Sequence, residues 1–294
     1  MKRFLCFSIL ILSSCTVSMN FQQKEIAVVD EIENAEYWIS SGNPEGKDLI
    51  FIFPDNLDSI DWETNTLLTS LKKENYKIVI PQLIGKKESL QTLLDSRSRR
   101  IKTVNNLYNQ LINNREIDSL ANVVLIGFGE GAYLLPYLAN YIPRVENFFM
   151  INAGLGSPLS EMQYLISEGD NSFLNTPKMR YFGMDDLDEL KRTIREVHTY
   201  GEFDIRLGNK TNYYWKEFYT YPTDPDLAHI STRGNIILSK GYPFMSKTLK
   251  AELNLINGSN PLTKLNITEI EGKGDFRIKE EIELLTNYIL NNIN

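Results

Sequence analysis

Cysteine is almost missing from this chain. Its two cysteines, Cys6 and Cys15, both lie near the start, so the body has none. That excludes an intramolecular disulfide, a thiolate zinc site, an iron–sulfur cluster and a cysteine nucleophile in the body. Histidine is as scarce, with only His198 and His229, which leaves few groups able to shuttle a proton near neutral pH. No apolar run of the body reaches the roughly 18 residues that a membrane-spanning helix needs. Positive charge is in deficit, with 31 Lys and Arg against 38 Asp and Glu and a formal net charge of −7. Such a surface repels phosphate backbones, so nucleic acid is not an expected partner. What remains is an ordinary globular composition, 42% apolar and 23% charged over 294 residues. That length can bury a sizeable core in one large domain or two small ones.

The first segment reads as an address. Lys2 and Arg3 precede a short apolar run from Phe4 to Leu12, too short to span a bilayer. Leu12-Ser13-Ser14-Cys15 follows and resembles a bacterial lipobox, whose cysteine is acylated, palmitate being one such acyl chain, and becomes the first mature residue. The resemblance implies a signal peptide over 1–14, a lipidated Cys15 with a polar tether to residue 23, and a body over 24–294. The body would then be held on a membrane through lipid at Cys15 without spanning it. Thr16 after the cysteine, with no run of acids behind it, suggests a periplasm-facing leaflet of the bacterial cell envelope. Loss of Lys2 and Arg3 takes the net charge from −7 to −9. The competing reading is an ordinary secretory signal with a chance cysteine.

Within the body, Ile26–Ile32 and Ala35–Ser41 alternate as strands do, and Gly42-Asn43-Pro44-Glu45-Gly46 is a turn cluster. Leu49–Phe53, Tyr76–Ile80, Val123–Ile126 and Phe148–Ile151 are short continuous apolar runs, as expected for strands buried on both faces. Ile236–Leu238 and Ile267–Ile270 add two more. Helical spacing covers Trp62–Leu71, Leu90–Ile117, Gly131–Tyr141 and Ile278–Ile293. This alternation predicts an α/β fold: a mostly parallel central sheet of about eight strands with helices on both faces. From about 155 to 233 the alternation breaks, and the segment reads as an inserted, mainly helical cap.

The order of elements resembles the α/β-hydrolase superfamily over about residues 26–294. Tyr37 to Gly46 is similar to the strand and turn before that family's oxyanion strand, and Phe53-Pro54 falls where it usually carries His-Gly. Gly127-Phe128-Gly129-Glu130-Gly131 matches the nucleophile elbow Gly-x-Ser-x-Gly everywhere except its centre. The resemblance would place the family's acid at Phe244 and its base at Asp275. Gly129 has no side chain to attack with, Phe244 has no carboxylate, and Asp275 is a poor proton shuttle beside an imidazole. Pro54 has no N–H to donate. The expectation is therefore a hydrolase-like body with a degenerate triad and no catalytic residues. It would act by binding a small apolar ligand or a protein partner at the cap, with no cofactor and no metal. The alternative is an esterase-like hydrolase with a relocated residue set, drawn from Ser157, Ser160, His198 and His229.

Three other patterns compete. Gly127-x-Gly129-x-x-Ala132 fits a dinucleotide-binding turn, but the next strand ends in Asn152-Ala153-Gly154 with no acid for a ribose. Tyr200, Phe203, Tyr213, Tyr214, Trp215, Phe218, Tyr219 and Tyr221 concentrate aromatics in the insert, either as a ligand or partner surface or as the insert's own packing. Packing is the favoured reading, because an insert of that size needs a core. Asp224 with Asp226, and Asp185-Asp186 with Asp188-Glu189, lack the ligand ladder of a calcium loop.

Overall fold

The computed structural model describes residues 21–26, 35–40, 48–54, 66–83, 95–167, 169, 174, 186–197, 199, 201, 211–220, 224–241, 254–258, 264–272 and 278–293. Eight strands form one sheet: β1 (Phe21–Ile26), β2 (Ala35–Ser40), β3 (Asp48–Phe53), β4 (Lys77–Pro81), β5 (Asn122–Phe128), β6 (Val145–Ile151), β7 (Arg233–Ser239) and β8 (Lys264–Ile270). Their order across the sheet is β1-β2-β4-β3-β5-β6-β7-β8. Only β2 runs against the rest, antiparallel to both β1 and β4. All other pairs are parallel.

The central strands read as unbroken apolar runs because both of their faces are covered. Ile50, Phe51, Ile52 and Phe53 are at most 1% exposed, and alternate residues feed two separate cores. On one face lie α1 (Thr66–Lys73) and α7 (Lys279–Asn292), packed against Ile50, Ile52, Val124 and Ile126. On the other lie α2 (Arg97–Asn113) and α3 (Leu135–Tyr141), over Phe51, Phe53, Leu125 and Phe148. Helix α2 starts at Arg97 because the Ser96 hydroxyl accepts the Arg99 N–H at 3.2 Å, capping the first turn. Its span is shorter at both ends than Leu90–Ile117. Within that range, residues 90–94 lie outside the described residues, and Arg115 at φ 57 turns the chain toward β5.

Between β6 and β7 come α4 (Pro158–Ser167), α5 (Leu187–Glu196), a helical turn Asn212–Tyr214 running on into a wider π-type turn Trp215–Tyr219, and α6 (Asp224–Ala228). These are the described parts of the segment read as an insert. At the other end, β1 begins at Phe21, so the last three residues read as tether lie in the edge strand. Its sequence, FQQKEI, is polar and has no apolar alternation to betray it. Of the range read as a strand, Ile26 closes β1 and residues 27–32 lie outside the described residues. No helix among the described residues is long and apolar enough to cross a membrane.

Candidate functional site

Strand β5 ends at Phe128, and the chain turns at once through a tight 3₁₀ turn, Gly129–Leu134, into α3. The two outer glycines of this elbow are there for clearance. A Cβ on Gly127 would lie 2.6 Å from the Ala132 Cα, and one on Gly131 would lie 2.3 Å from the Phe53 carbonyl oxygen. Neither backbone atom can give way. The turn therefore nests against the end of β3, beside the half-buried Pro54, only when 127 and 131 are bare. Gly129 itself sits at φ 48, in the left-handed region that costs an L side chain roughly 1–2 kcal/mol. Pro136 stands near the start of α3, where its missing N–H costs no helical hydrogen bond.

Glu130, next in the turn, is 3% exposed and points inward to Arg100 of α2. The Arg100 guanidinium is the hub of a buried cluster. Its Nε and Nη2 each donate to a different Asp95 carboxylate oxygen at 2.8 Å, and its Nη1 reaches the Glu130 Oε2 at 3.4 Å. Its plane also lies over the Tyr214 ring, 5.7 Å from the centroid. Burial works against the Arg100 charge, but the Asp95 pair and Glu130 override it and hold its pKa above the ordinary value. Burial, and then the Glu130 carboxylate, push the Tyr214 hydroxyl well above its ordinary pKa, with the Arg100 charge partly offsetting them. Tyr214 and Trp215 are at most 1% exposed and meet edge to face at 5.4 Å.

A second pair ties the insert down nearby. Arg97 Nη2 donates to Asp226 Oδ2 at 2.7 Å and its guanidinium lies 5.5 Å from the Tyr137 ring centroid. The Ser98 N–H donates to Glu217 Oε2 at 3.2 Å, and Asn140 Nδ2 to the Asp226 carbonyl at 3.1 Å. The aromatic segment is thus clamped over the amino end of α2 beside the elbow, and its two largest rings are packing. Asp226 is committed to Arg97.

The remaining sequence candidates separate. Ser157 is buried and caps α4, its hydroxyl accepting the Ser160 N–H at 3.1 Å, while the Ser160 hydroxyl donates to the Ser157 carbonyl at 2.8 Å. Both hydroxyls are engaged locally. His229 is exposed in the connection leading into β7, at the amino ends of the parallel strands, whereas the elbow is at their carboxyl ends. Cys15, His198, Phe244 and Asp275 lie outside the described residues. At the carboxyl ends of β6 and β7, Asn152 adopts φ 52, donates its N–H to the Ile237 carbonyl at 2.8 Å and accepts the Ser239 N–H on Oδ1 at 2.9 Å. Its side chain is spent on bracing β7.

Sequence reasoning missed Asp95, Arg97 and Arg100. A signal was present: both arginines fall on the buried stripe of α2 that continues through Ile101, Val104, Leu107, Tyr108 and Leu111. Charges on an apolar stripe need buried partners.

No protein-family model matches the sequence, and no curated protein matches it. Solved structures do match. An esterase of Pyrococcus furiosus aligns at a TM-score of 0.60 and 11% identity over 93% of this chain and 89% of that one. The enol-lactonase from Burkholderia xenovorans aligns at 0.58 and 15% identity over 91% of this chain and 98% of the other. A thioesterase domain from the curacin biosynthetic pathway aligns at 0.56 and 12% identity over 92% and 99%. The sheet order and these neighbours define an α/β-hydrolase-like fold.

Proposed function

We propose that this chain is a lipid-anchored protein of the bacterial cell envelope whose α/β-hydrolase-like body binds a small apolar ligand or a protein partner and does not hydrolyse esters. One observation carries the reading. The elbow has the left-handed turn at its centre, but that centre is Gly129, and the neighbouring Glu130 is drawn into the buried Arg100 cluster. No side-chain atom at either position is available to attack a carbonyl. The hydroxyls of Ser157 and Ser160 are held in the α4 cap, and His229 is at the wrong end of the sheet to assist.

The test has two arms. Purified protein should show no turnover of p-nitrophenyl acyl esters above background and no labelling by a fluorophosphonate probe. Gly129→Ser alone should not restore turnover, because the one imidazole among the described residues, His229, stands at the opposite end of the sheet. Robust wild-type esterase activity would overturn the binding reading and move the search to a relocated residue set. For the anchor, intact-mass analysis should find acyl chains on Cys15, and Cys15→Ser should release the chain from membranes. A Cys15→Ser chain that stays in the membrane fraction would refute the lipid anchor.

A further inference from the structure

We infer that the amino-terminal end of the sheet, opposite the elbow, is the face that rests on the lipid bilayer, so that the elbow end is presented to the aqueous side. The inference rests on the proposed anchor at Cys15. Three independent features of the described residues meet at this end.

The first is where the chain enters. Phe21 opens β1 and pairs with Ser40, and Ile39 beside it pairs with Val79 of β4. Because β1 is parallel to β4, Phe21 lies at the amino end of the parallel strands, whereas Gly129 follows the carboxyl end of β5. Five residues lie between Cys15 and Phe21, and the six Cα–Cα steps from one to the other reach at most about 22 Å. The seven residues of β5 span six rises, about 20 Å, so a lipid at Cys15 meets the near end of the sheet first and comes level with the elbow only with the tether fully extended along the strands.

The second is apolar exposure. Leu120 is 67% exposed, Tyr141 60% and Leu255 74%. All three lie where the chain approaches the amino ends of strands: Leu120 in the connection into β5, Tyr141 at the last position of α3 just before β6, and Leu255 in the helical turn over 254–258, whose Asn257 side chain bonds both backbone groups of Leu265 at the start of β8. The Leu120 and Tyr141 connections are neighbours, since the Val123 N–H donates to the Arg144 carbonyl at 2.9 Å. Exposed leucines, with a Tyr141 ring that is 60% exposed while stacked on Tyr137 at 4.2 Å, suit the boundary between headgroups and acyl chains.

The third is charge. Among the described residues, Lys73, Arg115, Arg144 and Lys264 are exposed at this end beside Glu74, Asp118 and Glu146, four cations to three anions in a chain whose net charge is −7. Two of these cations sit at a conformational cost. Arg115 and Arg144 adopt φ 57 and φ 62, a region that glycine enters freely. Cations at such turns are drawn to anionic lipid headgroups.

Hydrogen exchange read by mass spectrometry tests the face. The full chain, acylated at Cys15, is compared on phosphatidylethanolamine–phosphatidylglycerol vesicles with the soluble Cys15→Ser chain. Peptides covering 114–121 and 141–146 should exchange several-fold more slowly on vesicles, and those covering 129–134 and 212–219 should be unchanged. The double variant Arg115→Gly with Arg144→Gly should lose part of that protection while its urea midpoint stays at or above the wild-type value, because glycine relieves both turns. Protection of the elbow and 212–219 peptides instead, or of no peptide at all, overturns the proposed face. If cells leave Cys15 unacylated, the anchor reading fails on its own; the Cys15 thiol is then coupled to a maleimide lipid, and the same peptides still decide which face meets the bilayer.

Discussion

Arg100→Met is the sharpest perturbation of the elbow's support. Methionine keeps the length of the arginine stem and stays apolar, so little cavity is added. What goes is the only charge between Asp95 and Glu130 that the described cluster shows, and those two carboxylates are 1% and 3% exposed. Removing one partner of a buried pair typically costs about 3–5 kcal/mol, because the survivor keeps its desolvation penalty. Here two buried carboxylates lose the guanidinium they share, which puts the expected loss at the upper part of that range. At about 2–4 °C per kcal/mol for a chain of this size, the melting temperature should fall by roughly 8–20 °C. Urea unfolding followed by tryptophan fluorescence suits the measurement, since Trp215 is buried next to the Tyr214 ring that Arg100 covers. Glu130→Gln is the calibrating variant. It takes the charge from the 3.4 Å contact and from the Tyr214 hydroxyl but leaves the bidentate Asp95 pair, so about 1 kcal/mol should be lost. The triple change Asp95→Asn, Arg100→Met, Glu130→Gln should recover much of the Arg100→Met loss, because no uncompensated charge remains. An Arg100→Met chain within about 1 kcal/mol of wild type, or a triple variant no better than the single, would refute the assignment of a buried, mutually dependent cluster.

Three further outcomes follow from the geometry. Tyr37 and Tyr137 are pushed up to about 12, in each case first by burial, from an unfolded value of 10.0, and Tyr76, Tyr108 and Tyr214 are raised as well. The neutral form is the one the fold favours, so their contribution is complete below pH 10 and is lost as pH rises toward 12; urea midpoints should drop across that window, and a flat profile would contradict it. Gly131→Ala should fail to fold stably or lose several kcal/mol, since its Cβ meets the Phe53 carbonyl at 2.3 Å; thermal melting near wild type would mean that the elbow does not nest on β3 as described. Asn152→Ala should cost about 1–3 kcal/mol by leaving the buried Ser239 N–H without its acceptor, whereas Asn152→Asp should retain most of the stability, read in the same urea assay.

The parts of the fold that the sequence displays are those for which burial dictates composition. Leu49–Phe53 and Val123–Ile126 are legible because a strand covered on both faces has no polar position to spare. The edge strand Phe21–Ile26 escapes notice for the opposite reason. Its Gln22, Gln23, Lys24 and Glu25 meet solvent and make polar contacts, such as Gln23 with Glu36 and Lys24 with Glu116 at 2.7 Å, and composition alone resembles a tether. The elbow is legible from glycine spacing, since clearance at 127 and 131 is a local demand. Its support is not, because Asp95, Arg100, Glu130 and Tyr214 come from three distant stretches, and only the fold brings them together. Where the insert's aromatics go is equally a tertiary matter. Periodicity cannot distinguish a ring lining a ligand site from one under an arginine, and Tyr214 and Trp215 take the second role.

The elbow's shape therefore has a cause that does not require chemistry. A helix that is to start directly over the end of β3 needs bare backbone at 127 and 131 and a left-handed residue between them, whatever that residue carries. A nucleophile at the centre would hold its side chain in that strained conformation; glycine meets the same backbone demand without strain. Glu130 then supplies what a catalytic turn does not need, a carboxylate driven inward to a buried guanidinium that also underlies the insert. This linkage runs from the elbow through Arg100 to Tyr214. Glu130 of the elbow and Tyr214 of the insert thus rest on the same buried guanidinium, which ties the two segments to one helix.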